Sequence, residues 1–236
     1  MWDFEQGEVL AFDKPLRWTS FDLVAKVRYN LCRKLGKKKL KVGHSGTLDP
    51  LATGVVIVCT GKKTKLIESL QYDVKEYVAT MQLGATTPSY DMEKEVDATY
   101  PTEHITRALV DETIPQFLGE QWQVPPMFSA VQINGKRAYE LARKGQEVEL
   151  KPKLLKLDEI EVLSFDEKAM LLTIRVVCSK GTYIRALARD IGERLHSGAY
   201  LTALRRTRVG DTRVEDCLTI ERFLEQLNEI EYVQNE

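Results

Sequence analysis

Residues 43 to 54 read Gly43-His44-Ser45-Gly46-Thr47-Leu48-Asp49-Pro50-Leu51-Ala52-Thr53-Gly54. Three glycines free this backbone for positive φ or close approach to a ligand, and Pro50 fixes φ just after the stretch's only carboxylate, Asp49. The flanks differ in kind. Lys34 to Lys41 is basic, whereas Val55 to Cys59 is an apolar, β-branched run, too short for a globular helix and suited to a buried strand. The stretch predicts a shaped loop that holds one acid at the mouth of a basic surface and feeds a buried strand. Taken alone, it also describes a turn whose aspartate caps backbone N–H groups.

Upstream, Val9 to Phe12 reads as a strand running into Asp13-Lys14-Pro15. Ser20 then caps a basic amphipathic helix with Phe21, Val24, Val27 and Leu31 on one face. Gly36 to Lys41 has too little apolar content to pack and reads as a mobile loop or a nucleic-acid-facing arm. Downstream, Lys62 to Gln71 suits a short helix. Val74 to Leu83 alternates as a strand, with Tyr77, Ala79, Met81 and Leu83 on one face. Thr86 to Val96 is a polar loop, and Thr102 caps a helix that Pro115 stops. Asn134-Gly135 signals a turn before a cationic helix over Lys136 to Lys144, with Tyr139 and Leu141 in it. Leu155 to Phe165 and Met170 to Cys178 pair through the turn at Asp166 to Ala169. Thr182 caps a helix bearing Ile184, Leu187, Ala188, Ile191 and Leu195, with Gly198 at its end. Leu201 to Val209 returns as a strand carrying Arg205, Arg206 and Arg208, and Thr219 to Leu227 is a last helix. Interspersed helices, strands and hairpins without regular βα alternation predict an α+β fold around a mixed or antiparallel sheet.

The chain has 236 residues, enough for one large domain or two small ones with a real core. Its formal net charge of -1 hides an asymmetry: cations crowd residues 26 to 65, and acids crowd the tail from Asp211. A nucleic-acid binder needs only a basic footprint, not a basic total, although a pair of solvated charged faces fits the same pattern. Cys32, Cys59, Cys178 and Cys217 form no Cys-x-x-Cys pair, and His44, His104 and His196 show no ligand spacing. No apolar run approaches a membrane span and no secretory leader begins the chain, so the expectation is a reduced, cytoplasmic protein without metal.

The twelve residues from Gly43 to Gly54 resemble the central motif of the TruB family of pseudouridine synthases. Three more stretches follow in that family's order: Asp13-Lys14-Pro15 with Thr19-Ser20, Lys75-Glu76-Tyr77, and Ser179-Lys180-Gly181-Thr182-Tyr183-Ile184-Arg185. The resemblance spans roughly residues 8 to 227. It implies a pseudouridine synthase fold in a single catalytic domain over 1–236, with an RNA-closing, thumb-like insertion near residues 122–153. The implied reaction is isomerisation of a uridine in the tRNA T arm. The glycosidic C–N bond breaks, the base turns, and a C–C bond forms from C5; no atoms are gained or lost, so no cofactor is expected. By resemblance Asp49 is the essential carboxylate, acting either as nucleophile or as base. Arg185 pairs with it and keeps it ionised and aimed. Tyr77 stacks on the target base, Tyr183 and Leu204 line the uracil pocket, and His44 contacts the flipped nucleotide. Read without the family, Tyr77 and Leu204 are ordinary packing residues and His44 an ordinary loop histidine. The resemblance implies tRNA, through its T-arm stem-loop, as the partner, with no membrane and no obligate protein partner expected. Lys37 to Lys41, Lys136, Arg137, Arg143, Lys144 and the Arg205 to Arg208 run are candidate phosphate holders.

Three departures from the family pattern stand out. Arg17 occupies a usual glycine, Thr86-Thr87-Pro88-Ser89-Tyr90-Asp91 replaces a more acidic loop, and the chain ends soon after Leu227, without room for a PUA-like RNA-binding domain. Alternatives are a catalytically silent RNA-binding or tRNA-chaperone module on the same fold, and a related synthase with another RNA target. Asp49, Tyr77 and Arg185 occurring together favour the enzyme.

Overall fold

A computed structural model describes residues 2–4, 6–129, 132, 133, 135–138, 141 and 149–229. The chain runs β1 (Val9–Lys14), α1 (Ser20–Lys34), β2 (Val42–Ser45), β3 (Ala52–Thr60), a 3₁₀ stretch (Gly61–Leu66), α2 (Ile67–Leu70) and β4 (Lys75–Leu83). It continues through β5 (Ala85–Thr86), β6 (Ala98–Thr99), α3 (Arg107–Thr113), β7 (Gly119–Gln123), β8 (Gln132–Ile133), β9 (Lys136–Arg137), β10 (Lys153–Asp166) and β11 (Leu171–Cys178). The Ile184–Arg194 helix, β12 (Ala199–Val209), β13 (Thr212–Arg213) and the Ile220–Glu229 helix complete it. Two compact units result, one from Met1–Glu76 with Arg205–Glu236 and one from Tyr77–Leu204, so both boundaries fall inside strands, β4 and β12.

In the first unit, β3 pairs antiparallel with β1, from Val9 opposite Cys59 to Lys14 opposite Gly54, and with β2, from Val42 opposite Thr60 to Ser45 opposite Ile57. Apart from Thr53, every β3 residue is buried, which explains its unbroken apolar run: both faces are covered. Val55, Ile57, Cys59, Val209 and Val214 form one core cluster. Leu23, Val24, Val27 and Leu31 of α1 are also buried, and Phe12 meets Phe223 edge-on at 5.4 Å. The N-cap of α1 is Thr19 rather than Ser20. Thr19 Oγ1 accepts from Asp22 N–H at 2.9 Å while Asp22 accepts from Thr19 N–H at 2.8 Å, a reciprocal capping box that Ser20 lacks. Phe21 leaves the apolar face and stands 64% exposed, its place taken by Leu23.

In the second unit, the strands follow the order β12-β4-β11-β10-β7, and β10 pairs antiparallel with both β11 and β7. β4 alternates strictly, with Tyr77, Ala79, Met81 and Leu83 all buried. The Ile184–Arg194 helix buries Ile184, Leu187, Ala188 and Ile191 as its spacing predicts, but Tyr183 is its N-cap. Thr182 is not the cap, because its hydroxyl turns back to donate to the Ser179 carbonyl at 2.9 Å. α3 starts five residues later than the predicted cap, with Thr106 Oγ1 accepting from Leu109 N–H; Ile105 is buried ahead of the helix. Gly135, at φ 80°, lies in the two-residue loop of the β8–β9 hairpin, so Lys136 and Arg137 begin as strand rather than helix. Tyr139, Arg143 and Lys144 lie outside the described residues.

Candidate active site

The Asp49 loop belongs to the first unit and is clasped by two side chains, Arg206 and Ser20, while Lys14 holds the neighbouring turn. Arg206, only 1% exposed, donates from Nε to the Val55 carbonyl at 2.7 Å and from Nη2 to the Gly46 carbonyl at 3.0 Å, bridging the two ends of the turn. Ser20 Oγ accepts from Leu48 N–H at 2.9 Å and donates to the Leu48 carbonyl at 3.2 Å. Lys14, fully buried, donates through Nζ to the carbonyls of Pro15 at 3.0 Å and Trp18 at 2.6 Å, which shapes the turn whose Arg17 N–H donates to the Pro50 carbonyl at 2.7 Å. Burial pushes the Lys14 amine down to about 8, and the charge of Asp49 opposes that fall. Gly54, at φ 111°, lies so close to the Arg206 backbone that a Cβ would collide with it. Asp49 itself is half-buried and engaged, and its own carbonyl accepts from Ala52 N–H at 3.0 Å. The loop is therefore held from within, by backbone groups bound to the buried Arg206 guanidinium and the buried Ser20 hydroxyl.

His44 sits on β2, two residues before Gly46. Burial, then the nearby Arg206 cation, push its imidazole below the usual range, and its buried Nδ1 has no hydrogen-bond partner among the described residues. A neutral ring with an unsatisfied nitrogen is suited to meet a ligand edge.

The second unit holds the other sequence-predicted residues. Arg185, 5% exposed, donates from Nη2 to the Phe128 carbonyl at 2.9 Å and from Nη1 to the Ser89 carbonyl at 3.3 Å, and its Nε lies 3.8 Å from Asp91 Oδ2. The loop from Thr87 to Asp91 is correspondingly buried: Thr87, Ser89 and Asp91 all lie inside, and Thr87 Oγ1 donates to the Asp91 carbonyl at 2.7 Å. Tyr183 is fixed through its backbone, which donates to Gln123 Oε1 at 2.9 Å and accepts from Gln123 Nε2 at 3.2 Å. Tyr77 is buried on β4 and Leu204 half-buried on β12.

Sequence reasoning missed four of these supports. Lys14 and Ser20 lie in stretches already singled out, but nothing marked them as buried. Ser89 and Asp91 fall in a segment read only as a polar loop, yet both are buried. Of the β12 arginines, expected to hold phosphates, Arg206 is buried and consumed by the clasp. Arg205 donates to Asp13 at 2.8 Å and Thr53 at 3.1 Å, and Arg208 donates to the Gly210 carbonyl at 2.9 Å and lies 3.6 Å from Glu76.

The architecture matches that of chains in solved assemblies. The chain aligns with one titled "Crystal Structure of a Cbf5-Nop10-Gar1 Complex" with a TM-score of 0.71 and 29% identity, covering 97% of this chain and 58% of that one. A second, "Structure of H/ACA RNP bound to a substrate RNA containing 2'-deoxyuridine", gives a TM-score of 0.68 and 27% identity over 97% of this chain and 57% of that one. The fold is that of the pseudouridine synthases. The sequence comparisons narrow the class: residues 33–184 match the model of the TruB family pseudouridylate synthase N-terminal domain, and residues 185–235 that of the tRNA pseudouridylate synthase B C-terminal domain. A protein of Phocaeicola vulgatus called tRNA pseudouridine synthase B is 67% identical over 236 residues, 99% of this chain and 100% of that one. One of the same name from Flavobacterium johnsoniae is 50% identical over 228 residues, 95% and 98% of the two chains. This chain belongs to the TruB family of pseudouridylate synthases.

Proposed function

We propose that this protein isomerises uridine to pseudouridine in the T loop of tRNA, at position 55, as a single catalytic unit over residues 1–236. The observation that carries the reading is the clasp: a lone aspartate on a loop whose backbone is bound by buried Arg206 and Ser20. Fixing a carboxylate before substrate arrives removes an entropic part of the barrier, and effort of this kind fits a catalytic group better than a turn cap.

Asp49 acts on the uridine, either adding to it or removing a proton from the ribose, and both routes require the ionised form. The reaction conserves atoms: the glycosidic bond from the ribose to N1 breaks, a bond to C5 forms, the C5 proton leaves and N1 takes one up. Tyr77, Tyr183, Arg185 and Leu204 bind the uracil and hold the reacting groups in place. His44, held neutral, meets the extruded nucleotide. A uridine inside a folded loop reaches such a pocket only by extrusion, at a cost of a few kcal/mol that these contacts offset. The segment near residues 122–153 closes over the RNA.

The test is incubation of the purified protein with unmodified tRNA transcript, followed by mapping of pseudouridine by position. Stoichiometric product at position 55 alone supports the proposal. Tight binding without any product would replace it with a silent RNA-binding module, and product elsewhere would reassign the target.

A further inference from the structure

The fold sorts the basic residues into two sets. Arg205, Arg206 and Arg208 are bound to carbonyls and carboxylates of their own unit. The cations before the catalytic motif are placed differently. Two adjoining depressions on the first unit share Lys39, Leu40, Lys41 and Thr64; one extends to Arg28 and Lys38, the other to Lys62 and Lys65, and no carboxylate lines either. The sequence separates Lys41 from Lys62, but Gly61 N–H donates to the Lys41 carbonyl at 2.8 Å and joins them. The loop is anchored at its other end too, where Lys37 N–H donates to the Cys32 carbonyl at 2.9 Å, and Arg28 Nη2 holds the Val42 carbonyl at 2.9 Å. Lys38, Lys39, Lys41 and Lys65 are exposed, and their ammonium groups make no hydrogen bond or ion pair with any described residue.

Anchored backbone with several unneutralised ammonium groups around a shallow, partly apolar floor is costly in self-repulsion unless an anion visits. Lysines act as point charges, which suit phosphodiester oxygens spaced along a strand; the one guanidinium, the better fork for a carboxylate, is committed to Val42. The floor residue Val42 opens β2, the strand that carries His44 toward Asp49. We infer that this groove is a binding site for the RNA phosphate backbone flanking the target uridine, an inference that rests on the proposed RNA substrate and names where its backbone runs.

The experiment compares the parent with Lys38→Gln/Lys39→Gln/Lys65→Gln and with the corresponding triple arginine variant. Binding to tRNA is measured across salt concentrations and conversion under steady state. Each lost phosphate contact removes about 0.7–0.9 from the slope of log K against log salt, so the glutamine variant should bind with a slope shallower by about 2 to 3. Its KM for tRNA should rise roughly tenfold with kcat within about twofold, and the arginine variant should keep the parental slope. Equal slopes and equal KM for parent and glutamine variant would overturn the groove while leaving the catalytic reading intact. A parent that binds tRNA with this salt signature but converts none would overturn the catalytic reading and not the groove.

Discussion

Two buried arginines do parallel work in the two units. Arg206 ties together the ends of the Asp49 turn through the carbonyls of Gly46 and Val55, and Arg185 ties the Ser89 and Phe128 segments together in the same way. Their surroundings differ. Arg206 shares its region with a second buried cation, Lys14, whereas Arg185 has the Asp91 carboxylate 3.8 Å from its Nε. The first arrangement is a fixed strut, built from backbone that any sequence supplies. The second depends on a particular loop, Thr87 to Asp91, whose Ser89 and Asp91 are buried and face Arg185, Ser89 through its carbonyl and Asp91 through its carboxylate.

The contrast predicts unequal responses. Gly54→Ala should be the most damaging change to the fold, since it forces a Cβ into the Arg206 backbone at a positive φ. A loss of about 3–5 kcal/mol in denaturant unfolding is expected, and a loss under about 1 kcal/mol would mean that the strut tolerates displacement. Arg185→Lys keeps the charge but cannot reach Ser89, Phe128 and Asp91 together, so it should fold, bind tRNA, and turn over roughly 10²-fold more slowly in a single-turnover assay. A rate equal to the parent's would reduce Arg185 to a structural cation. The smallest effect falls on Arg17, which holds φ 67° and is exposed beside the Pro50 carbonyl. Arg17→Gly relieves left-handed strain worth about 1–2 kcal/mol but adds unfolded-state entropy, for a net gain of about 0.5–1 kcal/mol. A lower melting temperature instead would show that the arginine side chain stabilises the turn.

The parts of the fold written in local periodicity were legible. β4 alternates as read, the β10–β11 hairpin turns where Asp166 to Ala169 predicted, and the spacing of Ile184, Leu187, Ala188 and Ile191 marks a buried helix face. The errors share one cause: a polar side chain has several partners open to it, and only long-range packing selects among them. Ser20 could cap its helix but instead binds Leu48, 28 residues away, leaving the cap to Thr19. Arg206 lies in an exposed-looking run of arginines, and nothing local distinguishes the one that β3 covers. At the site, the groups that fix the Asp49 loop and Arg185, namely Arg206, Ser20, Ser89 and Asp91, had no signature in spacing.

The most direct test of the central claim is Asp49→Asn, because amide and carboxylate share shape and the clasp through Gly46, Leu48 and Val55 involves no Asp49 side-chain atom. Single-turnover conversion of saturating tRNA should be measured with circular dichroism and tRNA affinity on the same preparation. The account predicts a parental fold, affinity within a few-fold, and no detectable pseudouridine over many parental half-times. Substantial conversion by a variant verified to carry asparagine would contradict it, and the catalytic group would have to be sought elsewhere.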